Sequence, residues 1–222
     1  MARFLQAYLI IFLISSPVFS HAAKPNIEVC GSVLSQSTDL RTEVGFNDII
    51  LIPLRQKHRV ELKNLYSTPD VNRFFLGRQS ADSAVKAHLK SARNPHSGKR
   101  NSFAGRWVIE FKGSFVGYLE MVAMEPNSLP VEVAESFKKT NQDDLYLSVG
   151  YALDPAFRGN GIATKALSHA IQFAKDVLKP KYIFASTNSL NDASQKVLLR
   201  NRFSILPTYE TKRIKFVMEV QY

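Results

Sequence analysis

Only one cysteine, Cys30, occurs in 222 residues. It cannot close an internal disulfide and has no companion for a CxxC metal clip, so neither a disulfide framework nor a cysteine-built metal centre is expected. Acidic residues are scarce as well: 19 Asp and Glu face 29 Lys and Arg, a formal charge of +10 and a pI near 9.7. Such a surface attracts polyanions, whether nucleic acid, anionic lipid or a phosphorylated cofactor, and charge alone does not choose among them. Missing too is the interleaving of basic and aromatic residues that marks a nucleic-acid recognition module. The densest basic group, Lys99 and Arg100 near Arg93 and Arg106, lacks it, so nucleic acid is not expected as the main partner. There is no internal repeat, and no GxxxxGK followed by Ser or Thr, which removes the P-loop. With 45% apolar and 22% charged residues, what remains is the composition of an ordinary globular protein.

Long apolar runs are limited to the start of the chain. Met1 to Ala23 carries one arginine, an apolar stretch from Phe4 to Ile14, a Ser-Ser-Pro break and then small residues. That is the layout of a secretory signal peptide, with Ser20-His21-Ala22 as the cleavage site, and the run is too short to span a bilayer comfortably. Export to a periplasm or medium is therefore expected, with no stable membrane span after removal of 1–22. An uncleaved anchor on a cytoplasmic protein and a mistaken start codon are the alternatives. Cleavage removes Arg3 and no acid, taking the formal charge from +10 to +9. Residues 23–47 are polar, without a strong period, and read as a linker or N-terminal extension. A single domain is expected over 48–222.

Within it, Asp48 to Leu54 is a short apolar run closed by proline and predicts a strand. Val60, Leu62, Leu65 and Tyr66 recur at helix-like spacing over Gln56 to Tyr66. Ser80 can cap a second helix with Ala84, Val85, His88 and Leu89 on one face, where His88 is expected to pack rather than react. Arg106 to Phe111 and Ser114 to Met121 flank Lys112-Gly113, a hairpin signal. Glu125 to Asp144 is polar, with a short helix expected over 133–139. Leu145 to Pro155 carries large apolar side chains at Leu145, Leu147, Val149, Tyr151 and Leu153 and predicts the central strand. Ala163, Ala166, Leu167, Ala170, Ile171 and Ala174 then predict a helix that stops at Lys179-Pro180. Tyr182 to Ser186 predicts a strand, Asn191 to Arg202 a helix with Val197 and Leu198 inside, and Ile214, Phe216, Met218 and Val220 a last, half-exposed strand. The order is mixed α/β.

Between the central strand and its helix lies Arg158-Gly159-Asn160-Gly161-Ile162-Ala163. At a helix N-terminus the first backbone N–H groups have no partner inside the helix, and such a position binds anions. Glycines at 159 and 161 permit unusual backbone angles and let a phosphate approach without a Cβ in the way. Arg158 adds charge that could face the same anion. The dinucleotide fingerprint would need a third glycine where Thr164 stands. On the glycines alone, a phosphate cradle and a plain tight turn both remain open.

VGYALDPAFRGNGIATKAL, taken together with NDASQKVLLRNRF from Asn191 to Phe203, resembles the acetyl-CoA signature and following helix of the GNAT superfamily of N-acetyltransferases, in particular its ribosomal-protein (RimJ/RimL-type) branch. The resemblance extends over about Ile49 to Val220, and Leu54 to Phe75 is similar to the family's opening strand-helix-helix. It implies a GNAT fold, a mixed central sheet of about six to seven strands flanked by helices, and acetyl-CoA as co-substrate with no metal. It further implies backbone pairing of Tyr151, Ala152 and Leu153 with the pantetheine arm. The amides of Arg158, Gly159, Asn160, Gly161, Ile162 and Ala163 would hold the pyrophosphate. Asn191 and Ser194 match the family's N-x-x-S near the thioester; in isolation these two residues read as a helix cap and a surface serine.

The implied chemistry is direct attack by a neutral primary amine, on a peptide N-terminus or a small molecule, with backbone donors stabilising the oxyanion. Glu120 is the candidate base by resemblance; the bland reading is an exposed strand carboxylate. The acid tyrosine of many relatives is replaced by Leu198, which leaves Ser194 as the candidate thiolate partner and Tyr209 as a weaker one. The family's E-K-x-G-F ending is replaced by Leu199, Arg200, Asn201, Arg202 and Phe203, with Arg202 where a glycine would relieve a left-handed turn. A non-catalytic CoA-binding or interaction module is the alternative reading.

Overall fold

The computed structural model describes residues 48–77, 79–93, 104–125, 144–207 and 212–222. The expected signal peptide, the linker 23–47 with Cys30, the helix over 133–139, and Lys99, Arg100 and Tyr209 lie outside these residues. Among the described residues no helix is long and apolar enough to cross a membrane.

The first strand, β1 (Ile49–Pro53), ends on a proline that cannot donate to a ladder, and it sits at a sheet edge where that is tolerated. A 3-10 turn over Gln56–His58 leads into α1 (Arg59–Ser67), which buries Leu62, Leu65 and Tyr66. Val60 departs from the expected apolar face and stays 66% exposed. It lies two residues, about 200° of rotation, from Leu62, so no helical face can hold both. One turn, α2 (Pro69–Val71), passes into a π-helical turn at Asn72–Leu76 that closes on Gly77. The next helix, α3 (Ala81–Arg93), is capped as expected, with Ser83 N donating to Ser80 Oγ at 3.3 Å, and it buries Ala84, Val85 and Leu89.

The hairpin forms between β2 (Ala104–Phe111) and β3 (Ser114–Ala123). Lys112 and Gly113 take φ of 50° and 76°, and two positive φ values in a two-residue loop follow the twist of the flanking strands. Strand β4 (Tyr146–Leu153) is followed by a 3-10 turn at Pro155–Phe157, α4 (Ile162–Phe173) and a π-helical turn at Ala174–Leu178. Then come β5 (Tyr182–Asn188), α5 (Asp192–Arg200), β6 (Ser204–Ile205) and β7 (Arg213–Glu219). The two-residue β6 was not expected; it is too short to show any period.

Among the described residues the sheet has seven strands in the order β1-β2-β3-β4-β5-β7-β6, with β4 in the middle, as its apolar run predicted. All pairings are antiparallel except β4 with β5. Alternation along β4 separates two cores. Leu147, Val149 and Leu153 join Ile162, Ala166, Leu167 and Ala170 of α4 on one face. Ala152 joins Tyr118, Leu62, Tyr66 and Val85 under α1 and α3 on the other. The result is a sheet with helices on both faces, the three-layer arrangement of an α/β fold.

One irregularity positions everything that follows. The β3–β4 ladder runs unbroken from Ala123 opposite Leu147 to Gly117 opposite Leu153. On its other side β4 pairs with β5 only at Tyr146, Leu147 and Ser148, opposite Tyr182, Ile183 and Phe184. Beyond Ser148 the two strands diverge, and β4 has no further register partner on β5 as far as Leu153.

Candidate active site

The divergence opens a groove of about 900 Å³ between β4, β5, α5 and the loop that follows β4. That volume suits a small-molecule site. At the loop, Asp154 Oδ1 accepts from Ala156 N at 2.9 Å and sets the 3-10 turn over Pro155. Gly159 and Gly161 then take φ of 84° and 76°, and Gly161, with ψ of 0°, is the N-cap of α4. A Cβ built on either glycine meets nothing within 4 Å, so glycine is required here by the backbone angle and not by crowding. The first intrahelical bond of α4 runs from Lys165 N to Gly161 O at 3.0 Å. The amides of Ile162, Ala163 and Thr164 precede it and point out of the helix toward the mouth of the groove.

Arg158 is partly committed. Its Nη1 lies 2.9 Å from Asp70 Oδ2, while Nε and Nη2 donate to Leu153 O at 3.3 and 3.2 Å. The side chain thus ties α2 to the last carbonyl of β4 and fixes the loop. Asn160 Nδ2 donates to Arg158 O at 3.3 Å.

Deeper in, Tyr151 projects from β4 toward α5. Its hydroxyl lies 3.0 Å from both Ser194 O and Ser194 Oγ. Burial pushes its pKa well above the usual tyrosine value, so it stays protonated at neutral pH. Asn191 caps α5, its Oδ1 accepting from Ser194 N at 3.1 Å. Leu198, one turn beyond Ser194, is buried in the core and offers no polar atom.

On the opposite face of the sheet Glu120 sits beside Gly150, its register partner on β4. It is not an exposed strand carboxylate: its side chain is 20% exposed, Tyr118 Oη donates to Oε2 at 2.8 Å and Arg106 Nε lies 3.2 Å from the same oxygen. Arg106 is held in turn by Ser91, to which Nη1 donates at 2.7 Å. His88 stacks on Tyr118 at 5.2 Å, places Nδ1 2.7 Å from Tyr66 Oη and Nε2 4.0 Å from Glu120 Oε2. Burial lowers the His88 pKa and the Glu120 carboxylate only partly offsets this, so the ring is neutral near pH 7. Phe74 and Phe75 of the π-helical turn close this end of the groove.

A family model described as an acetyltransferase (GNAT) domain matches residues 48–204. The chain belongs to the GNAT acetyltransferase family. A sequence search among curated proteins finds no match. Solved GNAT structures resemble the fold. An acetyltransferase from Salmonella typhimurium that modifies the N-terminal serine of ribosomal protein L7/L12 is 15% identical with a TM-score of 0.57, covering 80% of this chain and 99% of that one. RimL, a ribosomal L7/L12 alpha-N-protein acetyltransferase, in complex with coenzyme A is 16% identical with a TM-score of 0.58, covering 80% and 96%. The aminoglycoside acetyltransferase AAC(6')-Ib with coenzyme A is 11% identical with a TM-score of 0.58, covering 77% and 94%. At these identities the likeness is one of fold, and it includes the ribosomal-protein branch that the sequence resembles.

The GNAT chain brings eleven of the twelve expected site residues onto one groove: Glu120, Tyr151, Ala152, Leu153, Arg158, Gly159, Gly161, Ile162, Ala163, Asn191 and Ser194 all line it. Asn160 is not among the lining residues; its side-chain Nδ2 donates to Arg158 O. The cap reading of Asn191 holds, whereas Ser194 is no bare surface serine but half of a pair with Tyr151. Sequence reasoning missed three participants of this GNAT groove: the Tyr151 hydroxyl, His88 and Asp70. The only signal for His88 was a polar residue on an apolar helix face. Asp70 is 88 positions from the arginine it binds, and nothing local marks it. No group of three or more His, Cys, Asp or Glu suited to a metal occurs among the described residues.

Proposed function

We propose that the protein is an acetyl-CoA-dependent N-acetyltransferase that moves an acetyl group to a primary amine, on a peptide N-terminus or a small molecule, by direct attack. The observation that carries this reading is the divergence of β4 from β5 beyond Ser148, with a positive-φ glycine loop and a helix N-terminus at its mouth. A pantetheine arm supplies the amide groups that an unpaired strand edge can bind, and a pyrophosphate suits the open N–H groups of Ile162, Ala163 and Thr164. Arg158, already braced by Asp70 and Leu153 O, shapes the loop more than it neutralises the ligand.

In this reading the β4 edge around Tyr151, beyond the β5 ladder, orients the thioester and supplies donors to the developing oxyanion. Most of the rate comes from holding amine and thioester in line. Glu120 is the proposed base on the acceptor side, where it would also draw in the ammonium form of the substrate. His88 stands close enough for one water or one amine nitrogen to touch both side chains, since His88 Nε2 and Glu120 Oε2 are 4.0 Å apart.

The test is incubation of the purified protein with acetyl-CoA and a panel of N-terminal peptides and small amines, with thiol release as readout. No thiol release together with no CoA binding would sink the reading. One observation favours a second reading, CoA binding without turnover: the place of the family's acid tyrosine is taken by the buried Leu198. That alternative predicts CoA affinity with no acetyl transfer to any amine. The segment Met1 to Ala22 further supports export as the proposed location, which N-terminal sequencing of the mature protein from fractionated cells checks.

A further inference from the structure

We propose that Tyr151 is a positioning residue for departure of the thiol: by donating to Ser194 Oγ it frees the Ser194 hydroxyl hydrogen for the thioester sulfur, making Ser194 the donor that stabilises the leaving thiolate. This rests on the acetyl-transfer reading above and goes beyond it in naming how the sulfur is served without the usual tyrosine.

The geometry supplies two arrangements of one hydroxyl pair. Tyr151 Oη stands 3.0 Å from Ser194 O and 3.0 Å from Ser194 Oγ, and its single hydrogen can satisfy only one of them. When it points at the carbonyl, the Ser194 hydrogen can turn onto the tyrosine oxygen and the pair is closed on itself. When it points at Oγ, the Ser194 hydrogen is released to a third acceptor. Both residues line the groove, and Ser194 is fixed from behind because its backbone N–H is held by the Asn191 cap. The next turn of α5 presents Leu198, which has no donor to offer the sulfur. Burial keeps Tyr151 protonated, which suits a group that must donate throughout and never carry the charge itself.

In the step served, the amine nitrogen forms the C–N bond to the acetyl carbon, the C–S bond breaks, and its electron pair leaves on sulfur. The amine's surplus proton passes to the base side of the groove. Ser194 holds the thiolate by hydrogen bond through the step, and solvent supplies the proton that completes the free thiol.

The experiment compares wild type with Tyr151→Phe, Ser194→Ala and the double variant in two measurements. The first is an ultraviolet titration of the thiol of bound CoA, a readout independent of turnover. A free thiol ionises near pH 8.5. A donor aimed at the sulfur lowers that midpoint by about one unit in wild type, and both single variants return it toward the free value. The second is turnover with acetyl-CoA against S-acetyl-4-nitrothiophenol, whose leaving group is stable as an anion without help. Both single variants are expected to lose about 100-fold with acetyl-CoA and less than about 3-fold with the aryl thioester. The double variant is expected to match Ser194→Ala, because Tyr151 acts only through Ser194.

Equal losses with both donors, or identical thiol midpoints in all four proteins, would overturn the proposal. Should Tyr151→Phe fold poorly, Ser194→Ala alone makes the same two comparisons, and unchanged values there overturn it equally. Absence of CoA binding in wild type removes the acetyl-transfer reading and this inference together. Transfer by wild type with unaltered variants removes only this inference.

Discussion

The placement of the pyrophosphate can be tested at one residue with an internal control, Gly161→Asp against Gly161→Asn. Gly161 caps α4 with φ of 76°, and a Cβ there meets nothing within 4 Å, so either side chain fits the available space. Both pay the same kind of cost for a side chain in the left-handed region, about 1 kcal/mol, softened because Asn and Asp tolerate that region best. In a protein of this size that lowers Tm by about 2–4 °C, equally for the pair. They differ by one charge. A carboxylate about 5 Å from one phosphate charge, at an effective dielectric near 20, costs about 3 kcal/mol, or about two orders of magnitude in affinity. Isothermal titration with CoA should therefore find Asn within a few-fold of wild type and Asp about 100-fold weaker. The gap should shrink in 1 M salt, where the screening length falls from about 10 Å to about 3 Å. Equal affinities for Asp and Asn at low salt would refute the placement of the pyrophosphate at this loop.

Arg202 holds φ of 65° while Phe203 N donates to Leu198 O at 3.1 Å and Arg202 N to Leu199 O at 3.0 Å, a helix stop that glycine fits best. Arg202→Gly should raise stability in urea by about 0.5–1 kcal/mol without changing CoA affinity, and a loss of stability would show that the turn carries no strain. A Cβ on Gly117 would collide with Ala152 O and with Leu153 Cδ2 at 2.7 Å, both on β4. Gly117→Ala should cost about 2 kcal/mol or more and weaken CoA binding by displacing the strand edge; a neutral thermal shift would contradict the close approach. His88 has a pKa lowered by burial, so the unfolded chain binds its proton first as the pH falls below the ordinary value of 6.5. Stability should thus be full above about pH 6.5 and decline below it, and the decline should be shallower in His88→Gln. The same acid limb in both proteins would assign the loss to other groups.

What was legible in the sequence was what the backbone or a local period dictates. Gly159 and Gly161 announced themselves because positive φ is cheap only for glycine. The hairpin at Lys112-Gly113 and the Asn191 cap were readable because each is closed within a few residues. The central position of β4 followed from the odd-numbered apolar side chains that now pack on α4. Contacts made through space were not readable: Tyr151 with Ser194 spans 43 positions, and His88, Tyr66, Tyr118 and Glu120 converge from three different elements. The π-helical turn at Asn72–Leu76, which delivers Phe74 and Phe75 to the groove, has no period of its own to detect. Val60 illustrates the opposite failure, an apolar residue counted into a face that its phase forbids.

The short parallel ladder between β4 and β5 has a mechanical meaning as well. Among the described residues four antiparallel strands stand on one side of it and three on the other, and three residue pairs within the sheet sew the two panels together. A molecule carrying its own amides into that slit would continue the stitching where the polypeptide leaves off. The protein is thus a seam left partly unsewn, and its donor substrate would be the thread.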